Sequence, residues 1–426
     1  MERTLVKDIK AGKEVLLKGW VYEIRILAKL GFILLRDRTG IIQCIVQGDL
    51  MSKLSELTLE SAVEIKGKTK SANVKAEFAR NDVEIDIESL EIVSKAEKLP
   101  IHVNEKTTTT EFQNRLDYRF LDIRKPKVQA IFEVEATMMR AYREFMDKEG
   151  ALEAIFPSII GASSEGGTEL YKLKYFEKDA YLSQSCQLYK QMLACSLEKV
   201  YAIFTVWRAE KHNTPRHLNE SRQFDYEQGF SDEFAVMEVL GRCVQYIVKR
   251  VLEENKKELE ILGVKLNVPK TKYLTFEETN KLLKKEKIHT EESDLTPEGE
   301  KKLGELFPDT ILFVHDWPLI GKPFYIMPKK GKGKEEISCG FDAIYKGMEI
   351  ASGGQRVHIP ELLEKRLEAK GLDPKDFKAY IDSFRYGAPP HGGFGMGVER
   401  LTMLILGIEN IREVVLFPRD RTRLTP

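Results

Sequence analysis

The chain has 426 residues, of which 42% are apolar, so it is long enough for two or three domains with a sizeable core. Its 67 basic and 67 acidic residues cancel, which excludes a global field that would draw it to nucleic acid or to a membrane. Its five cysteines form no CxxC pair and have no histidine at ligand spacing, which argues against a zinc site and a disulfide scaffold.

The beginning of the chain, MERTLVKDIKAGKEV, lacks the apolar core of a signal peptide. No apolar run approaches the roughly 18 residues that a membrane span needs. We therefore expect a soluble cytoplasmic protein without a membrane partner.

Residues 1–103 show a repeated pattern of short β-strands separated by turn signals. Five such strands in about 100 residues are typical of a Greek-key barrel of the oligonucleotide-binding type, although another small β-barrel fits the pattern equally well. The predicted strands are 14–22, 31–36, 41–46, 62–67 and 83–93.

A polar connector over residues 104–126 precedes a long amphipathic helix. Pro126 stands where a first helical residue would, and apolar side chains follow at helical spacing up to Gly150. The apolar stripe fits either a core face or a dimer surface, and we favour the core.

Three short elements are expected next. Leu152 to Pro157 reads as a strand, and 163–169 as a loop whose two glycines remove most backbone restraint. That loop could close over a bound amine, or it could be a surface turn. A helix over 187–196 would carry Gln187 and Lys190 in its first turn.

The stretch from Val206 to Phe230 predicts two strands joined by a long charged loop. Period-two alternation in the second strand places Asp225 and Glu227 on one face. Cations in the loop and carboxylates beyond it suit a ligand with an anionic and a cationic end. The alternative is a surface hairpin with solvated charges, since exposed ion pairs contribute little.

The region from 253 to about 310 is rich in Lys and Glu, which predicts a helical insertion on the surface. Further along, Gly393, Gly395 and Gly397 precede an apolar helix and invite comparison with a dinucleotide fingerprint. A buried strand should precede such a fingerprint, but two prolines do so here. A close-packed strand and turn that hold Arg400 for a phosphate fit better.

Asp342 and Glu349 lie seven residues apart across a predicted strand connection. Hard oxygen ligands beside a triphosphate are the usual surroundings of Mg²⁺, although two acidic residues at this spacing mean little alone. Together with Arg208, Arg356 and Arg400, they suggest a nucleotide site without a P-loop.

At this point the motifs resemble those of class II aminoacyl-tRNA synthetases, most closely the aspartyl enzymes of archaeal and eukaryotic type. The helix and strand ending at Pro157 resemble motif 1, Arg208 through Glu227 resemble motif 2, and Gly395 to Arg400 resemble motif 3. The aspartyl branch is indicated by four further phrases: Ser164–Gly167, Gln184–Lys190, Ser352–Arg356 and Phe417–Asp420.

The resemblance implies an α+β chain with an anticodon-binding OB-fold barrel over 1–103 and a hinge over 104–126. The catalytic domain, 127–426, would contain an antiparallel sheet flanked by helices and would pair as a homodimer through the segment ending at Pro157. The implied activity is ATP-dependent formation of aspartyl-adenylate from L-aspartate and transfer to the 3′ end of tRNA(Asp), with tRNA(Asn) as a further candidate. Alternatives are an asparaginyl enzyme, a synthetase paralogue, or a non-catalytic RNA-binding protein.

The resemblance also assigns the amino-acid pocket. It implies that Lys190 and Arg356 bind the side-chain carboxylate of aspartate. Glu165, Gln187 and Asp225 would hold its ammonium group.

A second group of residues would bind ATP. By the same resemblance, Arg208 bridges the amino-acid carboxylate and the α-phosphate, and Glu210 lies beside adenine and the tRNA end. His217 and Arg400 reach the outer phosphates, and Arg216 belongs to the same ATP site. Arg208 and Arg400 are the implied catalytic residues.

The implied metal is Mg²⁺, bound together with ATP. Asp342 and Glu349 would hold it with help from Ser352, which also belongs to the implied aspartate pocket, and Glu349 belongs to the ATP site.

In the barrel, the resemblance implies that Phe32 stacks on an anticodon base, while Arg25, Gln43 and Glu84 read base edges. The residue two after the Gly-Trp pair bears on whether tRNA for asparagine is accepted. Here that residue is Tyr22, which fits neither expected pattern.

The sequence departs from the family pattern in three places, one of which is a dipeptide. Phe204 and Thr205 stand where Gly-Pro or Ala-Pro usually precedes motif 2, and Cys186 stands where proline is usual. Ser221 replaces an aromatic residue that stacks on adenine in many members, so we expect Arg222 or another group to cover the ring.

Overall fold

The computed structural model describes residues 1–105, 109–161, 170–330 and 336–426. They form two compact units, residues 1–129 and residues 130–425. Within the described residues, every helix is too short or too polar to cross a membrane.

The first unit is built on a closed barrel with strand order β1-β2-β3-β5-β4. Alternation along the strands sends side chains such as Ile33 and Leu35 to a buried interior, as the sequence pattern predicts. The strands are β1 Glu14–Ile26, β2 Gly31–Asp37, β3 Gly40–Val46, β4 Ala62–Ser71 and β5 Ala79–Ser94, and the helices are α1 Met51–Leu54, α2 Phe112–Asp117 and α3 Arg119–Asp122.

The second unit contains a sheet of eight strands in the order β12-β13-β16-β17-β18-β11-β10-β6, with only the two edge strands parallel to their neighbours. The helices are α4 Pro126–Lys148, α5 Gln187–Leu197, α6 Glu233–Glu254, α7 Lys256–Leu262, α8 Phe276–Lys285, α9 Pro297–Leu306, α10 Pro360–Ala369, α11 Lys378–Arg385 and α12 Val398–Leu406. The strands are β6 Leu152–Glu153, β7 Ile159–Ile160, β8 Lys172–Tyr175, β9 Lys178–Leu182, β10 Lys199–Trp207, β11 Glu220–Gly229, β12 Lys270–Thr275, β13 Thr310–His315, β14 Pro328–Lys330, β15 Glu336–Ser338, β16 Gly340–Tyr345, β17 Met348–Gln355 and β18 His391–Gly397.

One face of this sheet is closed by α4, α6 and α12, which bury the largest hydrophobic cluster. Phe224 and Tyr226 of β11 point into that cluster. Because successive strand residues point to opposite faces, Gln223 and Asp225 point to the other side. The apolar stripe of α4 is therefore core, and the opposite face of the sheet is left for polar side chains.

The region 253–310 is more than the helical surface insertion that its composition suggests. It contributes β12, which pairs parallel with β13, and it buries Phe276, Leu283 and Leu303 in a shared apolar cluster. Gly304 lies against the turn between β16 and β17, where a Cβ would be 2.2 Å from the Gly347 nitrogen. Its few apolar residues pack on the sheet, and its many charges lie on the solvent faces of α8 and α9.

The strand expected over Leu152 to Pro157 is much shorter. Only Leu152–Glu153 pairs with β10, and the chain then leaves the sheet at its edge. Ile155, in the middle of this segment, is 99% exposed. An apolar side chain so exposed beside a sheet edge is a feature of interaction surfaces.

Candidate active site

A single row of paired residues crosses the polar face of the sheet. Asp342 pairs with Ser352, Ser352 with Gly395, and Gly395 with Asp225. Paired residues on neighbouring strands present their side chains to the same face. Gly395 leaves the middle of the row open, since a Cβ there would lie 3.4 Å from Asp225 Oδ1.

Above this row lie two adjoining cavities that form one cleft. The residues common to both are Arg208, Gln223, Glu349, Ser352 and Gly395. The first cavity is also lined by Glu210, Arg216, His217, Ser221 and Arg400, and the second also by Gln187, Lys190, Asp225, Tyr325 and Arg356. The structure thus brings together the predicted amino-acid and ATP residues that it describes.

Four charged side chains are buried at one end of the cleft. Lys190 Nζ lies 2.9 Å from Asp225 Oδ1 and 3.6 Å from Glu227 Oε2, and it also donates to the Phe394 carbonyl at 2.8 Å. Arg356 donates to both oxygens of Glu227, at 2.8 and 3.2 Å. The two cations and two carboxylates cancel, which makes their joint burial tolerable.

Mutual pairing keeps this cluster ionised. Burial opposes the charge on Lys190, yet Asp225 and Glu227 outweigh burial and raise its pKa. Burial likewise opposes the charge on Glu227, whereas Arg356 and Lys190 lower its pKa. Among the described residues, no group hydrogen-bonds to the buried Asp225 Oδ2, which leaves this oxygen as an acceptor for a ligand. The cluster therefore suits a ligand that carries both carboxylate and ammonium groups.

The other end of the cleft is rich in loosely held cations. Arg208 Nη1 is 3.9 Å from Glu210 Oε1, and Arg400 Nη1 is 3.6 Å from Glu349 Oε2. Both of these ion pairs are longer than a hydrogen bond, and Arg400 Nη1 also donates to the Glu349 backbone carbonyl at 3.2 Å. A phosphate can therefore recruit either guanidinium. His217 accompanies them, and burial, assisted by Arg400, lowers its pKa against the opposing effect of Glu210.

Residues outside the predicted set fasten the loop between β10 and β11. The Asn219 side chain donates to the carbonyls of Arg208 and Glu210 at 2.7 and 2.9 Å. Arg412 donates to the Thr214 carbonyl and to Asp420. The Arg412–Thr214 contact joins residues 198 positions apart, so periodicity and motif spacing give no signal for it.

Asp342 and Glu349, the carboxylates expected to hold Mg²⁺, supply only part of a coordination shell. Desolvation and the neighbouring Asp342 raise the pKa of Glu349, which shows that a cation between them would be stabilising. Asp342 is paired with Lys322 at 2.6 Å. No group of three or more candidate ligands occurs within the described ranges. Mg²⁺ usually takes one or two carboxylates and completes its shell with phosphate oxygens and water, and this site is compatible with that arrangement.

Two of the departures from the family pattern lie together in the core. Cys186 and Phe204 share an apolar cluster with Phe156 and line neither cavity. Ser221 does line the cleft. The expectation that Arg222 might cover the adenine ring is wrong, because this side chain points to the opposite face of the sheet.

The reason is an ion pair on that opposite face. Arg222 Nε donates to Glu399 at 2.9 Å, and its Nη2 is 2.9 Å from Glu135. Ser221 and Arg222 are neighbours in a strand, so they cannot share a face.

The four predicted anticodon residues lie on adjoining barrel strands. Arg25 pairs with Phe32 and Gln43 pairs with Glu84, and Gln43 donates to Glu84 at 2.8 Å. Tyr22 is buried, and burial, reinforced by Glu77, raises its pKa to about 12. Tyr22 packs in an apolar cluster with Leu34 and Ile41.

One predicted ligand, Glu165, lies outside the described residues. Sequence reasoning also assigned no role to several residues at the cleft. Gln223, Lys322 and Tyr325 line it, and Glu227 holds Arg356 in place. The alternation that revealed Asp225 also places Glu227 on the same face, and this was the available signal.

Glu300 adds a further carboxylate near the phosphate end. It lies on α9, close to Glu349, Arg216 and Arg400. Burial and Glu349 raise its pKa to about 7, against the opposing effect of the two arginines. The region 253–310 thus contributes a titratable group beside the cleft.

Comparison with known proteins gives a consistent result. The model of the family described as tRNA synthetases class II (D, K and N) matches residues 111–421, and an OB-fold nucleic acid binding domain matches 15–93. An aspartate–tRNA(Asp/Asn) ligase of Archaeoglobus fulgidus is 43% identical, covering 99% of this chain and 98% of the relative. An aspartate–tRNA(Asp) ligase of Pyrococcus horikoshii is also 43% identical, with 97% of both covered.

A solved structure is similarly close. Asparaginyl-tRNA synthetase from Pyrococcus horikoshii, complexed with asparaginyl-adenylate, superposes with a TM-score of 0.93. It is 35% identical, and the match covers all of both chains.

The raised pKa of Glu300 predicts a pH-dependent effect of Glu300→Gln. Since folding favours the protonated form, wild-type stability from this group is present below about pH 4.5 and is lost as the pH rises towards 7. The Glu300→Gln variant has no carboxyl group to ionise, so its stability does not fall in this way as the pH rises. We expect Glu300→Gln to be stabilised relative to wild type at pH 8 by on the order of 1 kcal/mol, and much less at pH 5. Thermal unfolding at both pH values measures this.

The matched control is Glu298→Gln, an exposed glutamate on the same helix. Its difference from wild type should be equal at the two pH values. An equal difference for Glu300→Gln as well would contradict the assignment.

Proposed function

We infer that this chain, which belongs to the class II tRNA synthetases of the D, K and N group, is an aspartate–tRNA ligase. It activates L-aspartate with ATP to aspartyl-adenylate and transfers the aspartyl group to the 3′ end of tRNA(Asp). The observation that carries this conclusion is the cleft that joins a buried, charge-paired pocket to a cation-rich end. Full-length relatives that are named aspartate–tRNA ligases support it.

In this proposal, Lys190 and Arg356 bind the side-chain carboxylate of aspartate. Asp225 Oδ2 and Gln187 accept hydrogen bonds from its ammonium group. An asparagine side chain would present a neutral amide to Lys190 and Arg356, and its N–H group would face their N–H donors where the aspartate carboxylate supplies a charged acceptor. A hydrogen-bond donor without an acceptor is costly in a dry pocket, so the pocket favours aspartate over asparagine.

No general base is needed for activation, because the α-carboxylate of aspartate is already a nucleophile at neutral pH. Its oxygen attacks the α-phosphorus, the bond to the β-phosphate oxygen breaks, and pyrophosphate leaves. Arg208 lines both cavities, so it can contact the α-carboxylate and the α-phosphate together. Arg216, His217 and Arg400 bind the outer phosphates. Catalysis rests on positioning and on neutralising charge.

We assign Mg²⁺ to Asp342 and Glu349, with Ser352 beside them in the paired row. When bound with ATP, the ion would supply neutralisation of phosphate charge. The protein's part is to hold the two carboxylates on adjacent strands.

In the second step, a terminal ribose hydroxyl of the tRNA attacks the carbonyl of the mixed anhydride, and AMP leaves. Glu210 is assigned to adenine and the tRNA end. We assign residues 1–103 to anticodon binding, with stacking on Phe32 and base-edge contacts from Arg25, Gln43 and Glu84. Residues 104–126 would act as the hinge.

The second candidate is an asparaginyl enzyme, favoured by the close match to the Pyrococcus asparaginyl structure. The distinguishing measurement is ATP–pyrophosphate exchange with aspartate and with asparagine. Exchange with aspartate and little with asparagine is expected, and the reverse preference would establish the alternative.

Arg356→Ala should abolish aspartate-dependent exchange, because the side-chain carboxylate loses one of its two cations. We expect a fall of at least about 100-fold in kcat/KM, consistent with losing a charged hydrogen bond to the substrate and both hydrogen bonds to the buried Glu227. Thermal unfolding and ATP binding verify that the variant is folded.

Arg385→Ala is the control, since this arginine forms exposed ion pairs with Glu361 and Glu364. It should leave exchange unchanged. Wild-type exchange rates in folded Arg356→Ala would reject the assigned role.

Charging of the two candidate tRNAs defines the acceptor range. Aminoacylation of tRNA(Asp) is expected, and charging of neither tRNA would contradict the proposed function. Phe32→Ala should raise the KM for tRNA about 5- to 100-fold, the effect of losing one stacked base, while leaving pyrophosphate exchange unchanged. An unchanged KM for tRNA would remove Phe32 from the interface.

We propose that the protein is a homodimer paired through the segment 152–157. The short edge strand β6 and the exposed side chains of Leu152 and Ile155 support this assignment. Ile155→Glu should shift the dimer to a monomer in sedimentation equilibrium, because a charge would be buried in an apolar contact. Phe176→Glu, at another exposed aromatic residue, is the control and should leave the mass unchanged. A monomeric wild type, or a dimer unaffected by Ile155→Glu, would contradict the assignment.

A further inference from the structure

A buried histidine lies behind the ammonium side of the amino-acid pocket. His391 is fully buried, and its Nδ1 lies 2.9 Å from the Pro389 carbonyl oxygen. A carbonyl can only accept, so Nδ1 carries the proton. Burial, assisted by Arg356 and His358, lowers the pKa of His391 against the opposing effect of Glu227. The ring is therefore neutral, and Nε2 is an acceptor.

That tautomer fixes the orientation of the next side chain. Gln191 Nε2 lies 3.0 Å from His391 Nε2, so the Gln191 amide nitrogen donates to the ring. The Gln191 carbonyl oxygen then faces away from His391. It accepts from the Tyr380 hydroxyl at 2.9 Å and from Gln187 Nε2 at 2.7 Å. All four groups are buried.

This series of hydrogen bonds, which starts at His391, ends at Gln187 in the amino-acid pocket. Because Gln187 uses its amide nitrogen to donate to Gln191, its carbonyl oxygen Oε1 remains for a ligand. Gln187 lines the amino-acid cavity together with Asp225. A carbonyl oxygen attracts an ammonium group, whereas an amide nitrogen would repel it.

We propose that His391 and Gln191 are positioning residues that hold Gln187 with its carbonyl oxygen towards the α-ammonium of the bound amino acid. This inference rests on the proposed function and deepens it. The orientation is set by the backbone carbonyl of Pro389, two residues before the start of β18, and is passed on through the His391 ring and the Gln191 amide.

The reversed chain shows why the direction matters. A second proton on His391 would make Nε2 a donor, so Gln191 would turn its carbonyl oxygen to the ring. Its amide nitrogen would then face Gln187, which would turn its own nitrogen to the pocket. Substrate ammonium would meet N–H groups instead of an acceptor.

The test separates ammonium recognition from general damage by comparing aspartate with succinate, which lacks the amino group. The KM for aspartate and the inhibition constant of succinate are measured in ATP–pyrophosphate exchange. We expect Gln191→Leu and His391→Phe to raise the KM for aspartate about tenfold, as expected for one misdirected hydrogen bond to a charged group. The succinate constant and the KM for ATP should change less than about twofold.

Two further variants serve as controls. Gln191→Glu keeps an acceptor for Gln187 and Tyr380 and can accept from a doubly protonated His391, so aspartate binding should stay within about threefold of wild type. Tyr380→Phe removes one donor to Gln191 but leaves the hydrogen bonds that link His391 to Gln187. This variant should therefore also have a small effect on the KM for aspartate.

Equal weakening of aspartate and succinate by Gln191→Leu and His391→Phe, or no change in either, would overturn the positioning role. That result is distinct from failure of the proposed function, in which wild-type protein would show no aspartate-dependent exchange. Should one variant not fold, the other gives the same comparison.

Discussion

The buried ion cluster of Lys190, Asp225, Glu227 and Arg356 is the constraint on which the catalytic unit depends. Four charges removed from water are tolerable only when each lies beside an opposite charge, and this requires α5, β11 and the chain after β17 to meet within hydrogen-bond distance. The cluster also explains the glycine run of β18. A Cβ at Gly393 would lie 2.2 Å from Glu227 Oε2, so the glycine makes room for the carboxylate.

One face of the central sheet packs into the apolar core, and the other face carries the cleft. On β11, Phe224 and Tyr226 enter the apolar core, while Asp225 faces the cleft. The two sides are also joined directly, because the buried Tyr142 hydroxyl donates to the Asp225 carbonyl at 2.7 Å. A close-packed helical layer therefore fixes the backbone that carries the pocket carboxylate, which is how a rigid scaffold gives precise positions to charged groups.

Local patterns in the sequence predict the elements, and long-range packing decides much of what they do. The five barrel strands, α4 and the β10–β11 hairpin follow from alternation, helical spacing and turn signals, which act over a few residues. The Arg222 ion pairs and the contact between Gly304 and Gly347 join distant segments, and no local signal specifies them. Alternation along a β-strand does predict that Arg222 and Ser221 point to opposite faces of the sheet, because they are adjacent residues.

The departures from the family pattern fall into two kinds: some lie in the packed core, and one lies in the wall of the cleft. Phe204 contacts the ring of Phe156 edge-on at 6.2 Å, within the cluster that holds Cys186. Cys186 and Phe204 share this cluster, and Cys186 also lies beside the Asp225 carboxylate. Ser221 instead removes bulk from the cleft wall, where Leu218 and Ile411 remain as apolar neighbours. A base bound beside Ser221 would find these aliphatic side chains in place of an aromatic ring. Of Cys186, Phe204 and Ser221, Ser221 alone lines the cleft, at its cation-rich end.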